Sequence, residues 1–170
     1  MNLEEVLLAE HSKQNCDKVV RWVGNSQQRF DELLTLFMDG SKRINQLAAW
    51  PLSYSAIANP GLVSKHWNKL LKNLRKPGIH DAIKRNTVRL MQDMEIPEKH
   101  RGLLMTICFD YVTDPGEKPA TKAFSLTVLG RLAKTYPEIR PELKLIIETQ
   151  WDNESAAFRS RAKKILPSLK

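Results

Sequence analysis

The residues best suited to chemistry in this chain are four lysines with helical spacing. They follow one another at intervals of four, three and four residues and are Lys65, Lys69, Lys72 and Lys76. On a helix this spacing places all four ammonium groups on one face. Such a row attracts carboxylates and phosphates, and lysine acts there as a point charge rather than as a reader of bases. This lysine row predicts contact with an anionic partner; the alternative is a solvated helix face.

The sequence around the lysine row is strongly basic. The chain of 170 residues carries a formal net charge of +8. Residues 41–91 hold ten basic side chains and one acidic side chain, Asp81, which is a local net charge of +9. Arg85 and Arg89, four residues apart on the next predicted helix, add to this charge. The asymmetry favours an acidic protein or peptide as partner, with nucleic acid as the alternative.

Motifs of the common catalytic and cofactor sites are missing from the sequence. The four histidines have no ligand spacing with one another or with the two cysteines, so we predict no metal site. The glycines form neither GxGxxG nor GxxxxGK, and no serine lies in GxSxG. We therefore predict no catalytic residues and no cofactor. Cys16 and Cys108 lie in apolar helical patterns and are expected to be reduced and buried.

Targeting signals are equally missing. The first residues contain neither a basic nor an apolar leader segment, so we expect a cytoplasmic protein. The longest run without charge, residues 44–64, is interrupted by Pro51 and Pro60 and contains several polar residues. We predict no membrane span and no membrane partner, and the sequence leaves the oligomeric state open.

The apolar residues recur with helical periodicity along nearly the whole chain, which predicts an all-α fold. Pro60, Pro97 and Pro137 each begin a similar segment, 37 and 40 residues apart, with an aliphatic residue ten positions later. A helix–loop–helix unit recurring at this interval is typical of an α-solenoid, in which each hairpin buries its apolar face against the next. We predict one domain over residues 1–170. Its hairpins span about 14–39, 41–75, 80–113 and 118–150, and helices at about 3–10 and 155–167 cover the ends.

This pattern resembles the HEAT and armadillo repeat families over roughly residues 41–167, and more loosely over 14–39. The matching residues are a basic residue that begins the first helix, a proline that bends or breaks it and a proline that begins the second: Arg43, Arg85 and Arg161; Pro51; and Pro60, Pro97 and Pro137. The resemblance implies a right-handed α-α superhelix whose second helices line a concave groove. It also implies a non-catalytic interaction scaffold, with the lysine row facing that groove.

The pattern is also similar to the HEAT-like alkylpurine DNA glycosylases. That family implies DNA held on a basic concave face, with aromatic side chains and an acidic residue beside the damaged nucleotide. Asp152 adjoins Trp151, but the full constellation is not matched, and Asp81 is the sole carboxylate of the basic middle of the chain. We therefore expect a binding module and not an enzyme; a nucleic-acid-binding protein related to alkylation repair is the alternative.

Two further side chains, Trp67 and Asn86, are interpreted from their positions in the helical pattern. Trp67 stands seven residues after Pro60, where the other segments have Leu104 and Lys144, and this mixed position indicates partial exposure. Packing against the next repeat is the favoured interpretation of Trp67, and the alternative is a stacking or hot-spot residue of the binding surface. Asn86 lies inside an apolar-periodic helix, where a buried amide needs partners, and we expect it to bond a neighbouring turn.

Overall fold

The computed structural model describes all residues 1–170, which form α-helices joined by short turns, with no β-strand. The helices are α1 (Leu3–Ala9), α2 (Lys13–Val23), α3 (Gln27–Asp39), α4 (Lys42–Ala58), α5 (Trp67–Leu74), α6 (Asp81–Met91), α7 (Glu98–Thr113), α8 (Pro119–Thr135), α9 (Arg140–Gln150) and α10 (Ala156–Ile165). Short 3-10 turns cover Pro60–Val63, Pro137–Ile139, Trp151–Asn153 and Leu166–Leu169. The all-α prediction is confirmed.

The chain divides into two compact units, residues 1–86 and 87–170, and the boundary falls within α6. In the first unit, α3 packs along α4, and α1 and α2 also pack against α4. The side chains of α3 that fill this core recur with helical spacing and are Phe30, Leu33, Leu34 and Phe37. Pro51 does not end α4, which continues to Ala58. The prediction of one domain over the whole chain stays a prediction.

Helix starts follow the local sequence closely. Ser26 and Ser41 cap α3 and α4, as their positions before apolar runs predict, and each hydroxyl accepts a hydrogen bond from the backbone amide three residues later. Asn2 caps α1 in the same way through the amide of Glu5. Gly24 ends α2 with a φ of 52°, a value that favours glycine.

Helix ends are closed by side chains that the sequence does not reveal. Four long or amide side chains each donate to the backbone carbonyl five residues earlier: Asn15, Asn45, Arg101 and Arg159. The Asn45 Nδ2 atom also donates to the carbonyl of Phe37 at 2.8 Å, so one amide satisfies several free carbonyls at the end of α3. Asn86, by contrast, donates to Ala82 O of its own helix at 2.8 Å. The expected bond from Asn86 to a neighbouring turn is wrong, because a carbonyl within reach on α6 satisfies the amide.

The segment after Pro60 departs from the predicted continuous helix. Pro60–Val63 is a 3-10 turn, and α5 begins only at Trp67. The Gln27 amide, on α3, donates to the carbonyl of Leu62 at 3.0 Å. In a continuous α-helix that carbonyl would accept from the amide of His66, which bonds Val63 O instead. A hydrogen bond from α3 thus replaces a backbone hydrogen bond of the helix, and α5 begins several residues later than predicted.

In the second unit, α8 packs against both α7 and α10. A buried ion pair joins Lys122 of α8 to Glu154, whose side chains are only 6% and 10% exposed. The Arg131 guanidinium donates to the carbonyl of Met94 at 2.9 Å and also to those of Met91 and Gln92, closing the end of α6. Cys16 of the first unit and Cys108 of the second are free and buried, as predicted, and burial raises their pKa values to about 11 and about 12.

Gly130 is required for the close approach of Ile165 to α8. A Cβ atom at this position would lie 2.6 Å from Ile165 Cγ2, far inside van der Waals contact. Gly102, in the interior of α7, has open space where a Cβ would be. The two glycines therefore differ in what a methyl group would meet.

We expect Gly130→Ala to lower the free energy of unfolding by about 1–3 kcal/mol, because the added methyl overpacks a full interior. Gly102→Ala is the matched control and should raise it by about 0.5–1 kcal/mol through helix propensity. Urea denaturation followed by circular dichroism measures both. Equal effects of the two substitutions would contradict the close packing of Ile165 on α8.

Candidate anion-binding surface

The lysine row lies over a turn, a short helix and a second turn. Lys65 precedes α5, Lys69 and Lys72 lie on it, and Lys76 follows its end. All four side chains are exposed. The prediction of one continuous helical face is wrong at both ends, because the Pro60 segment begins as a 3-10 turn and Pro77 follows the row directly.

Two of these lysines have acidic partners on α3. The Lys65 Nζ atom lies 2.7 Å from Asp31 Oδ2, and the Lys69 Nζ atom lies 4.0 Å from Asp39 Oδ2. No acidic residue lies in the sequence between Lys65 and Lys76. The partners come from a helix some thirty residues earlier in the chain, so no local pattern reveals them.

Asp31 is the centre of a polar cluster. Its Oδ1 atom lies 2.6 Å from His66 Nε2 and accepts from Gln27 Nε2 at 2.8 Å, while Oδ2 accepts from Lys65. Burial alone would raise the pKa of Asp31, but these hydrogen bonds outweigh it and lower that pKa to about 2. The cluster holds the segment before α5 against α3.

The end of the row is unpaired. Lys72, Arg75 and Lys76 are exposed, and none of them forms an ion pair within the chain. We call these three residues the free basic cluster. Sequence spacing missed Arg75, because it lies off the ideal helical stripe; the signal that could have found it is the pair Pro77-Gly78, which marks the end of α5 and turns the chain.

Trp67 is buried, with 3% of its surface exposed. The predicted partial exposure is wrong, so Trp67 offers no face for stacking a base or for anchoring a partner. It begins the buried stripe of α5, which recurs with helical spacing and comprises Trp67, Leu70, Leu71 and Leu74. An eight-residue helix needs this apolar face to hold it in place.

Arg85 and Arg89 lie one turn apart on α6, and both side chains are exposed. Neither forms an ion pair within the chain. Their part in partner binding stays a prediction. Elsewhere, no group of three histidine, cysteine or acidic side chains is placed to hold a metal ion, and none of the helices combines the length and apolar character that crossing a membrane requires.

A family model described as HEAT repeat domain matches residues 3–169. The chain belongs to the HEAT repeat family. Together with the all-helical structure, this match confirms the predicted HEAT-like helical solenoid. HEAT repeats commonly serve as scaffolds for protein interactions and are typically not enzymes. No curated protein and no solved structure shows significant similarity to the chain.

Replacing Asp31 with Asn tests the polar cluster through its pH dependence. The pKa of Asp31 in the folded chain, about 2, lies below its ordinary value of 3.8. Its ionisation therefore stabilises the fold above about pH 4, and this contribution is lost as the pH falls through about 2. We expect D31N to be less stable than the native chain near neutral pH, and the gap to close between about pH 4 and pH 2.

Urea denaturation at several pH values measures this gap. Glu32→Gln is the matched control, because Glu32 is an exposed neighbour on α3 that forms no ion pair. A gap between D31N and the native chain that stays constant over this pH range would show that the Asp31 charge does not stabilise the cluster.

Proposed function

We propose that this HEAT repeat chain is a non-catalytic binding module that recognises an acidic protein or peptide through the free basic cluster. The observation that carries the proposal is the contrast within one row of basic residues. Lys65 and Lys69 face carboxylates of α3, whereas Lys72, Arg75 and Lys76 are exposed without a partner. Like charges this close repel one another mildly, and an incoming carboxylate would relieve that repulsion.

An acidic protein is favoured over nucleic acid by two features of the surface. The row already contacts carboxylates within the chain, at Asp31 and Asp39. In addition, Trp67 is buried, so the surface lacks the exposed aromatic side chain on which single-stranded bases stack. The scaffold role that is common among HEAT repeats agrees with a protein partner.

The strength of such a contact is limited. An exposed ion pair contributes about 0.2–1 kcal/mol, so three pairs alone give weak binding. Electrostatic attraction of this kind chiefly accelerates encounter and selects partners by charge, and salt screens it. The partner therefore carries several carboxylates close together, and its binding depends on ionic strength.

Reversing the charge of the free basic cluster tests the proposal. We expect the variant Lys72→Glu, Arg75→Glu, Lys76→Glu to lose at least tenfold in affinity for a fluorescently labelled oligoglutamate, because three attractive contacts become repulsive. The control variant Lys134→Glu, Lys163→Glu, Lys164→Glu makes the same change in net charge at exposed, unpaired lysines. This control variant should lose much less affinity for oligoglutamate. Fluorescence anisotropy at two salt concentrations measures binding, and circular dichroism checks that both variants remain helical.

Two results would contradict the proposal. If both triple variants bind oligoglutamate equally well, the cluster is only a solvated face. The partner is nucleic acid if a labelled DNA duplex binds more tightly than oligoglutamate and if reversing the charge of the free basic cluster abolishes binding of that duplex. Contact with about four phosphates would then weaken roughly 100-fold over a fourfold rise in salt.

A further inference from the structure

We propose that Asp39, the last residue of α3, is an internal competitor for Lys69 that a carboxylate of the acidic partner displaces. This inference rests on the proposed function. It makes Lys69 an exchangeable fourth member of the binding surface, beside the free basic cluster. Asp39 then sets how tightly the surface holds an acidic partner.

The two ion pairs of the row differ in how firmly they are held. Lys65 and Asp31 approach to 2.7 Å, and Asp31 is further fixed by Gln27 and His66. The Lys69 and Asp39 side chains are 50% and 56% exposed, and their charged atoms are 4.0 Å apart. Water reaches both charges of this second pair, so a carboxylate of similar chemistry can replace Asp39.

Lys69 is the sole side chain that holds the Asp39 carboxylate. Asp39 lies at the carboxyl end of α3, where the helix dipole is negative and disfavours an acidic side chain. Its carboxylate accepts no hydrogen bond from the backbone, and Lys69 is its sole ion-pair partner. The helix dipole makes loss of Lys69 slightly unfavourable for Asp39, but water can solvate this exposed carboxylate once Lys69 contacts a partner instead.

Lys69 adjoins the free basic cluster along the chain. It lies one helical turn before Lys72 on the exposed side of α5. A partner segment whose carboxylates already contact Lys72 and Lys76 therefore has a further carboxylate near Lys69 at high local concentration. Displacement of Asp39 therefore extends the contact that the partner segment has already formed with Lys72 and Lys76, and no second partner molecule has to bind.

The test compares two substitutions that change the net charge equally on the same helix. Asp39→Asn removes the competitor, and Glu32→Gln removes an exposed carboxylate of α3 that pairs with no lysine. Oligoglutamate should bind D39N about twofold to fivefold more tightly than the native chain, which matches the strength of one exposed ion pair. E32Q should bind like the native chain. In a Lys69→Gln background, D39N should no longer tighten binding.

The outcomes separate this inference from the proposed function. If D39N and E32Q tighten binding equally, or if D39N tightens it equally without Lys69, the effect is one of net charge and the competitor role is overturned. The proposed function then still stands, provided that reversal of the free basic cluster abolishes binding. If reversal of that cluster leaves oligoglutamate binding intact, the proposed function itself fails.

Discussion

The contact between α3 and the segment before α5 determines how the lysine row is arranged. Asp31 contacts Lys65 and His66. Gln27, one turn earlier on α3, donates a hydrogen bond to the carbonyl of Leu62, which an α-helix would pair with a backbone amide. As a result the chain passes through a 3-10 turn and α5 is short. The basic row is thereby divided into a part held against α3 and a part that extends into solvent. Without this contact, the residues from Pro60 onward would favour one longer helix with Lys65, Lys69 and Lys72 on one face, still ended by Pro77.

Capping serines marked several helix starts in the sequence, whereas the side chains that close helix ends left no local signal. Ser41 and Ser155 cap α4 and α10 through the amide three residues later, a pattern visible in any sequence. Four residues after each of these serines, Asn45 and Arg159 donate to the carbonyls five and eight residues earlier. The geometry is the same although the side chains differ. These two helix starts therefore share hydrogen-bond geometry more than residue identity.

The sequence predicted the positive charge of the candidate surface, but neither its ion pairs nor the burial of Trp67. The excess of basic residues between 41 and 91 is a property of composition and survives any error in helix boundaries. The pairing of Lys65 with Asp31 depends on a contact across 34 residues, which periodicity cannot reveal. The partial exposure predicted for Trp67 was wrong for a different reason. Comparing aligned repeat positions suggested exposure, whereas the spacing of Trp67, Leu70 and Leu74 within α5 already indicated a buried face.

Burial decides whether an ion pair in this chain is structural or exchangeable. Lys122 and Glu154 are almost fully buried, and removing one partner would leave an uncompensated charge at a cost of about 3–5 kcal/mol. Lys69 and Asp39 have the same chemistry, but water already solvates both groups, so separating them costs about 1 kcal/mol or less. A new ion pair between Lys69 and an incoming carboxylate contributes a free energy of similar size. In the proposed function, the exposed pair is therefore the one that regulates binding, whereas the buried pair supports the fold.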